Sequence, residues 1–350
     1  MASSTQWPEV LAHLIAGEDL DEDRAAAVMR DVMQGDAEPE QIAALLVALR
    51  AKGESAGEIA GFVRAMIDAA EPITIDATLR SLLVDVVGTG GDGGGTFNIS
   101  TVSAIVVAAC DVPVAKHGNR AASSLCGSAD LLEAWGIDIE LAPEDVAHCI
   151  RDVGIGFLYA RSFHPAMRIV GPVRQHLGIP TVFNVLGPLA NPAGAPIRAV
   201  GVADPRLAPV MADALAALGT QGLVFRGHDG LDELTTTGPS QVWEIRDGAV
   251  DAQELDPRDL GLDAATTDDL RGGDAAANVA IADAILDGVG GRATDVVALN
   301  AGAALYAAGV VDSIAAGIER ARAAIDDGAA RDVKDRWAAL TQTLAAGRRV

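Results

Sequence analysis

Residues 82–124 read LLVDVVGTGGDGGGTFNISTVSAIVVAACDVPVAKHGNRAASS, and this stretch decides the fold. Five of its first six residues are apolar, which is typical of a strand that is buried on both faces. Six glycines follow between Gly88 and Gly95 and predict a loop. Hydroxyl and amide side chains in residues 96–101 then begin an apolar helix, where unpaired backbone N–H groups and the helix dipole favour an anion. The stretch therefore predicts a strand, a phosphate-binding loop, a helix and a second strand.

The glycine loop alone is a weak signal, because Gly88, Gly90 and Gly93 also satisfy the dinucleotide-binding pattern G-x-G-x-x-G. That pattern requires an acidic residue about 20 positions later, at the end of the next strand, to hold a ribose. The next predicted strand, Val112–Ala115, is followed instead by a basic loop, Lys116–Arg120. A nicotinamide site is therefore rejected, and a tight turn without any ligand is the structural alternative to a phosphate loop.

Acidic residues greatly outnumber basic ones in the 350-residue chain. The chain contains 26 Lys and Arg residues and 49 Asp and Glu residues, which gives a formal net charge of −23. The negative electrostatic field of such a chain repels nucleic acids and anionic membranes, so neither is an expected partner. An anionic substrate would need a metal ion or a local basic patch, for which the candidates next to the motifs are Lys116, Arg120, Arg168 and Arg174.

No membrane or secretion signal is evident in the sequence. No apolar run approaches the roughly 20 residues of a membrane span, and residues 1–5 lack the charged and apolar regions of a signal peptide. We therefore expect a cytoplasmic protein. The three cysteines, Cys110, Cys126 and Cys149, form no C-x-x-C pair, which argues against a disulfide framework or a zinc site.

The chain changes its periodicity near residue 70. Before it, four apolar patterns recur at helical spacing, and Ser55 and Glu58 form a capping box at the start of the last one. Beyond Pro72 strands alternate with helices, and Asp247-Gly248 predicts a hairpin. The predicted fold class is α/β: a small all-helical N-terminal domain and a large α/β domain with a central, mostly parallel sheet flanked by helices.

Nine motifs along the chain carry a family resemblance. They are GTGGDGGGTFNIST (88–101), KHGNRAASS (116–124), GSAD (127–130), HPAM (164–167), PVRQHLG (172–178), FNVLGPLANPAG (183–194), HDGLDE (228–233), GGD (272–274) and LNAGAALY (299–306). Together they resemble the anthranilate phosphoribosyltransferases. The resemblance implies transfer of the phosphoribosyl group of 5-phosphoribosyl 1-pyrophosphate (PRPP) to the amine of anthranilate, the second step of tryptophan biosynthesis from chorismate.

The same resemblance implies a domain arrangement and an assembly. Residues 1–71, joined by about 165–185, would form a small helical domain that supplies the interface of a homodimer. Residues 72–164 and 186–350 would form the large PRPP-binding domain. Val182–Pro192, which is rich in Gly, Pro and Asn, reads as a hinge or crossover between them.

For the donor, the reaction needs charge neutralisation on a departing pyrophosphate, which Lys116 could supply through its ammonium group. The resemblance implies that PRPP is bound by Gly88, Gly91, Asp92, Thr96, Asn98, Ile99, Ser100, Thr101, Lys116, His117, Gly118, Asn119, Arg120, Ala121, Ala122, Ser123, Ser124 and Ser128. Mg²⁺ is the implied cofactor, since it takes oxygen ligands and is usually shared between carboxylates and substrate phosphates. Its implied ligands are Ser100, Asp232 and Glu233.

For the acceptor, Arg174 can meet a carboxylate through two parallel hydrogen bonds. The implied anthranilate-binding residues are Gly88, Asn119, Arg174, His117 and His164. No general base is expected, because an aromatic amine is neutral at physiological pH and its lone pair is available. Catalysis would then consist of positioning by Asn119, Arg174 and Lys116.

Two other functions stay open at this point. A pyrimidine nucleoside phosphorylase would have a similar fold and glycine loop but no need of a magnesium site built on two carboxylates, so Asp232-Glu233 and Asn119 argue against it. A non-catalytic relative that binds nucleic acid would conflict with the net charge of −23.

Overall fold

A seven-stranded sheet forms the centre of the computed structural model, which describes residues 5–121 and 124–348. Its strands are β1 (Val84–Gly88), β2 (Val114–Gly118), β3 (Ile155–Tyr159), β4 (Ile197–Gly201), β5 (Gln221–Gly227), β6 (Ser240–Arg246) and β7 (Ala249–Leu255). The order across the sheet is β3-β2-β1-β4-β5-β6-β7. The first five strands in this order are parallel, and β6 and β7 continue the sheet as an antiparallel hairpin. The predicted mostly parallel sheet and the hairpin at Asp247-Gly248 are thus both present.

Helices cover the sheet and build a separate N-terminal bundle. In chain order they are α1 (Trp7–Ile15), α2 (Glu22–Gln34), α3 (Pro39–Lys52), α4 (Ala56–Asp68), α5 (Ala77–Arg80), α6 (Ile99–Ala109), α7 (Ser128–Ala134), α8 (Pro143–Val153), α9 (Ala160–Phe163), α10 (Met167–Leu177), α11 (Phe183–Leu189), α12 (Leu207–Ala217), α13 (Ala275–Leu286), α14 (Arg292–Ala307), α15 (Ile314–Asp326) and α16 (Ala329–Arg348). None of the helices in the described ranges combines the length and the apolar character needed to cross a membrane.

Two apolar cores result from this layering. One core joins the sheet to α6, α7, α8, α14, α15 and α16. The other joins α1–α4 to α10, α11 and α12, and it includes residues of β1, β4 and β5 from the opposite face of the sheet. Burial on both faces explains why most residues of the parallel strands are apolar.

The N-terminal bundle follows from its local sequence signals. The capping box at the start of α4 is present, with Ser55 and Glu58 each accepting a hydrogen bond from the other's backbone N–H. The carboxylate of Glu58 is also buried, where it accepts hydrogen bonds from the Leu20 backbone and from Lys52. The cap therefore also ties the bundle together over a long sequence separation.

Two sequence predictions differ from the structure. The predicted loop Lys116–Arg120 begins later, because Lys116, His117 and Gly118 continue β2 and pair with β3. The predicted hinge at 182–192 contains the helix α11 in spite of Gly187 and Pro188. This helix is stable because it packs against α4 and α12 and because residues from distant parts of the chain bind its last carbonyl groups.

Candidate active site

The candidate site lies at the C-terminal ends of the parallel strands. The glycine loop follows β1, the segment 119–128 follows β2, and the segment 228–236 follows β5. In parallel sheets the loops at this edge are the usual place for ligands. The KHGNR and HDGLDE motifs, more than 100 residues apart in the chain, are therefore brought to the same edge as the glycine loop.

Asp232 lies directly against the glycine loop. Its Oδ2 accepts a hydrogen bond from the Gly90 N–H at 2.6 Å. A Cβ atom at Gly88 would lie 2.2 Å from this Oδ2, and a Cβ atom at Gly201 would lie 1.7 Å from the Asp232 carbonyl oxygen. Glycine at position 201 is therefore a steric requirement of the close approach between β4 and Asp232, and a side chain at position 88 would displace the Asp232 carboxylate.

Glu233 binds the first turn of α6. Its Oε1 accepts a hydrogen bond from the Ser100 N–H at 3.0 Å, where the positive end of the helix dipole favours negative charge. Burial, followed by repulsion from the neighbouring carboxyl of Asp92, raises the pKa of Asp232 to about 7. Burial, followed by repulsion from Asp232, also raises the pKa of Glu233 well above its usual range. The pair is thus well suited to bind a cation.

Lys116 occupies the floor of the site. Its side chain is buried, and its Nζ donates hydrogen bonds to the Val86 carbonyl at 2.6 Å and to the Ser100 Oγ at 3.4 Å. Burial lowers the pKa of Lys116, and the negative charges of Asp85 and Glu233 oppose this shift. The predicted cation for the pyrophosphate therefore lies beside the hydroxyl and the carboxylate that were predicted as metal ligands.

The loop after β2 is held by its own side chains. The guanidinium of Arg120 binds Asp130 and Glu133 on α7, so its charge is already neutralised. Asn119 is exposed and its Oδ1 accepts a hydrogen bond from the Arg120 N–H. Two described serines donate to backbone carbonyls: Ser124 to that of Cys126, and Ser128, the first residue of α7, to that of Asn119. The predicted donor-binding residues Ala122 and Ser123 lie outside the described residues.

The two histidines predicted for the acceptor site bind the end of α11. His117 Nδ1 lies 2.9 Å from the Gly187 carbonyl oxygen, and His164 Nε2 lies 2.9 Å from the Ala190 carbonyl oxygen. A carbonyl oxygen only accepts, so these nitrogens carry the hydrogen atoms. Burial lowers the pKa of both rings, which keeps them neutral at physiological pH. His117 Nε2 is then a buried acceptor that no atom in the described ranges satisfies.

Arg174, on α10, has no acidic partner among the side chains that the structure describes. It donates a long hydrogen bond of 3.4 Å to Asn184 Oδ1, and its guanidinium lies over the Phe183 ring at 5.7 Å. Partial burial lowers its pKa. A half-buried guanidinium without a carboxylate partner is well suited to bind an anionic ligand.

Comparison with known proteins decides the family. Residues 80–331 match the α/β domain of a glycosyl transferase family, and residues 8–70 match the helical bundle domain of the same family. The anthranilate phosphoribosyltransferase of Arthrobacter sp. (strain FB24) is 51% identical over 347 residues, 97% of each chain. That of Acidothermus cellulolyticus is 52% identical over 348 residues, also 97% of each. The chain belongs to the anthranilate phosphoribosyltransferases.

Solved structures of this family agree with the fold. The enzyme from Thermus thermophilus matches with a TM-score of 0.90 and 48% identity over 95% of this chain and 99% of that one. The enzyme from Saccharomyces cerevisiae in complex with PRPP and Mg matches with a TM-score of 0.88 and 27% identity over 98% and 99%. The family and the pentosyltransferase class predicted from the motifs are thereby confirmed.

The described residues contain no group of three or more His, Cys, Asp or Glu side chains that could hold a metal ion. Asp232 and Glu233 would supply two carboxylates and Ser100 a hydroxyl. A metal ion bound there must therefore take further ligands from outside the protein, as Mg²⁺ does when it is shared with substrate phosphates.

The sequence reasoning missed Asp85, which is fully buried in β1. Its carboxylate accepts hydrogen bonds from the Asn191 side chain at 2.7 Å and from the His117 N–H at 3.1 Å, and it lies 3.9 Å from the guanidinium of Arg198. Arg198 in turn donates to the last carbonyls of α11. The sequence contains a signal for this role: Asp85 is the single acidic residue in an otherwise apolar strand, and a buried charge must be paired.

Proposed function

We propose that the chain transfers the phosphoribosyl group of PRPP to the amine of anthranilate, giving N-(5-phosphoribosyl)anthranilate and pyrophosphate. The observation that carries this proposal is the convergence of Lys116, Ser100, Asp232 and Glu233 on the glycine loop. Such a site provides both signs of charge around a diphosphate. Neither a nucleoside phosphorylase nor a nucleic-acid-binding protein requires the carboxylate pair.

The donor is proposed to bind on the glycine loop and the first turn of α6. None of the described residues accepts a hydrogen bond from the backbone N–H groups of Gly91, Gly93 or Gly95, so these groups are available to phosphate oxygens. The ammonium group of Lys116, at the floor of the site, would add a positive charge, and the Ser100 hydroxyl lies next to this ammonium group. The described part of the loop after β2, residues 119–121 and 124–128, would cover the donor from the side of β2.

Mg²⁺ is proposed to bind Ser100, Asp232 and Glu233. The two adjacent carboxyl groups fit a bound cation. Their raised pKa values mean that the surrounding protein does not fully compensate their negative charges, which a metal ion would do. Bound Mg²⁺ would neutralise negative charge on the departing pyrophosphate. The yeast relative in complex with PRPP and Mg supports Mg²⁺ as the ion.

The acceptor is proposed to lie between Arg174 and Asn119. Arg174 would bind the carboxylate of anthranilate, and Asn119 would orient its amine towards the ribose carbon that loses pyrophosphate. Gly88, His117 and His164 would contribute to the surrounding wall. The amine attacks as a neutral group, so the residues of this chain position the reactants and need not remove a proton before the attack.

The proposed reaction can be followed by the loss of anthranilate fluorescence when PRPP is added with and without Mg²⁺. We expect the loss to require both PRPP and Mg²⁺. Phosphorolysis of thymidine in the same preparation, with no reaction of anthranilate, would instead identify a nucleoside phosphorylase.

Replacement of Arg174 with alanine tests the acceptor site. A hydrogen bond to a charged group contributes about 1.5–3 kcal/mol, so we expect the KM for anthranilate to rise by about 10- to 100-fold. The KM for PRPP should change less than about twofold. Arg30→Ala is the control, because it removes the same charge from an exposed position of another helix, α2. An unchanged KM for anthranilate in Arg174→Ala would contradict the assignment.

A cytoplasmic homodimer is the proposed form of the protein. The small domain, residues 1–71 with about 165–185, is the proposed interface, and two large apolar side chains are exposed on its helices α1 and α3. Ile15 is 77% exposed and Val47 is 44% exposed, so an interface formed by these helices would bury both side chains. Static light scattering should give the mass of two chains, and a mass of one chain at micromolar concentration would contradict the proposal.

A further inference from the structure

Two asparagines are buried in the helices that follow the sheet. Asn278 lies in α13 and Asn300 in α14, and each is 1% exposed. The surrounding segments, AAANVAIADAIL and VVALNAGAAL, are otherwise almost entirely apolar. A buried amide is strongly unfavourable unless its donors and acceptor are bonded, so the partners of these side chains indicate what each asparagine does.

Asn278 connects three segments around the glycine loop. Its Oδ1 accepts a hydrogen bond from the Gly273 N–H at 2.7 Å, and its Nδ2 donates to Asn98 Oδ1 at 2.8 Å. The Nδ2 of Asn98 then donates to the Cys126 carbonyl at 3.0 Å. These bonds tie residues 270–274 to the start of α6, which follows the glycine loop, and tie the start of α6 to Cys126.

Backbone contacts hold the segment 270–274 along the glycine loop. The Gly272 N–H donates to the Gly95 carbonyl at 2.9 Å, and the Phe97 N–H donates to the Leu270 carbonyl at 3.1 Å. A Cβ atom at Gly272 would lie 2.6 Å from the Phe97 nitrogen. The segment is thus a brace that fits only with glycine at position 272, and Asn278 fixes its C-terminal end.

Asn300 holds the chain next to the acidic pair. Its Oδ1 accepts a hydrogen bond from the Leu234 N–H at 3.0 Å, and its Nδ2 donates to the Leu234 carbonyl at 2.8 Å. The same Nδ2 also donates to the Val296 carbonyl at 2.9 Å, within its own helix. Leu234 directly follows Glu233, so α14 fixes the backbone at the point where the carboxylate pair ends.

We propose that Asn278 and Asn300 are positioning residues for the two parts of the donor site. Asn278 holds the loops that bind the phosphates of PRPP, and Asn300 holds the carboxylates that bind Mg²⁺. Both act through other residues, and the inference rests on the proposed function. A mobile loop or carboxylate would bind its ligand more weakly, because ordering it would then accompany binding.

The experiment compares Asn278→Leu and Asn300→Leu with the wild-type enzyme. We expect Asn278→Leu to raise the KM for PRPP about tenfold at saturating Mg²⁺, with the KM for anthranilate within about twofold of wild type. We expect Asn300→Leu to raise the Mg²⁺ concentration for half-maximal activity about tenfold. Calorimetric titration of PRPP into the Mg²⁺-loaded protein, without anthranilate, should show the same loss of donor affinity for Asn278→Leu.

Thr341→Val is the matched control. The buried Thr341 accepts a hydrogen bond from the Asp138 N–H and donates to the Ala338 carbonyl, so it joins α16 to a loop remote from the site. The Thr341→Val substitution should lower the unfolding temperature without changing the KM for PRPP or the KM for anthranilate. If the asparagine variants behaved like this control, their role would be structural only and the inference would be wrong.

Two further outcomes are informative. If Asn278→Leu does not fold, Asn278→Ser is smaller and uncharged; it removes the amide that joins Gly273 to Asn98, and it should still raise the KM for PRPP. An unchanged donor KM in this variant would overturn the inference. If the wild-type enzyme itself did not consume anthranilate, the proposed function would fail instead, so the two failures can be told apart.

Discussion

Replacement of Lys116 with methionine should destabilise the fold by about 1–3 kcal/mol and lower kcat/KM for PRPP by about 100-fold or more. The methionine keeps most of the buried apolar stem, but the ammonium group is lost. Asp85 and Glu233 then remain buried with less compensating charge, and the Val86 carbonyl and the Ser100 hydroxyl lose their donor. Urea unfolding and steady-state kinetics measure the two effects separately.

Lys52→Met is the matched control for this substitution. Lys52 is also a lysine with a buried side chain, and it pairs with Asp19 and Glu58 in the N-terminal bundle. Its replacement should destabilise the fold for the same reason, but the folded protein should keep its KM for PRPP. If both variants changed the KM for PRPP equally, the effect would come from loss of stability and not from a role of Lys116 in donor binding.

The local sequence pattern around Lys116 predicts the neighbouring elements but not the burial of this side chain. The apolar run, the glycines and the following apolar helix predicted β1, the loop and α6, because each signal is local. The burial of Lys116 is not local. It depends on the register between β2 and β3, in which Lys116 pairs with Phe157, and this register is a property of the whole sheet.

The close contacts of the glycines at the site also depend on residues that are distant in the sequence. Gly88 was predicted to bind PRPP and anthranilate, and the atom that it approaches in the structure is Asp232 Oδ2. Gly201 carried no signal, since a glycine at the end of a strand has many explanations. Its requirement appears only when β4 and the acidic pair, over 30 residues later in the chain, are placed side by side.

Sequence motifs assigned residues to the site, and the structure adds the partners of their side chains. Asp232 and Glu233 were assigned to a metal from a motif, and the structure adds that Glu233 also binds the first turn of α6. Arg120 was assigned to the donor, whereas its guanidinium binds two carboxylates on α7. Partners that lie close in space but far in sequence decide such roles, and a single sequence does not contain that information directly.

Replacement of Glu233 with glutamine should lower kcat/KM by about 100- to 1,000-fold, because one charged ligand of the proposed Mg²⁺ site is lost. The amide oxygen can still accept the hydrogen bond from Ser100, so the local fold should be kept. Raising the Mg²⁺ concentration should restore part of the activity. Activity within about twofold of wild type at low Mg²⁺ concentration would exclude Glu233 from the metal site.

The same substitution should stabilise the protein in the absence of Mg²⁺, and the pH dependence gives the reason. The pKa of Glu233 is raised in the folded protein, so the folded state retains a proton that the unfolded state releases above a pH of about 4.5. The wild-type protein therefore loses stability as the pH rises from about 4.5 towards the raised pKa, by up to about 1.4 kcal/mol per pH unit. Glutamine does not titrate, so the stability gained by Glu233→Gln should grow with pH over this range.

Glu54→Gln separates the two effects of this prediction. Glu54 is another buried glutamate whose pKa is raised by burial, but it lies between α3 and α4, away from the glycine loop. Its replacement should also increase stability as the pH rises, while kcat/KM and the Mg²⁺ dependence stay unchanged. An increase in stability with loss of activity is expected only for Glu233, because only there does the unfavourable buried charge serve to bind the metal.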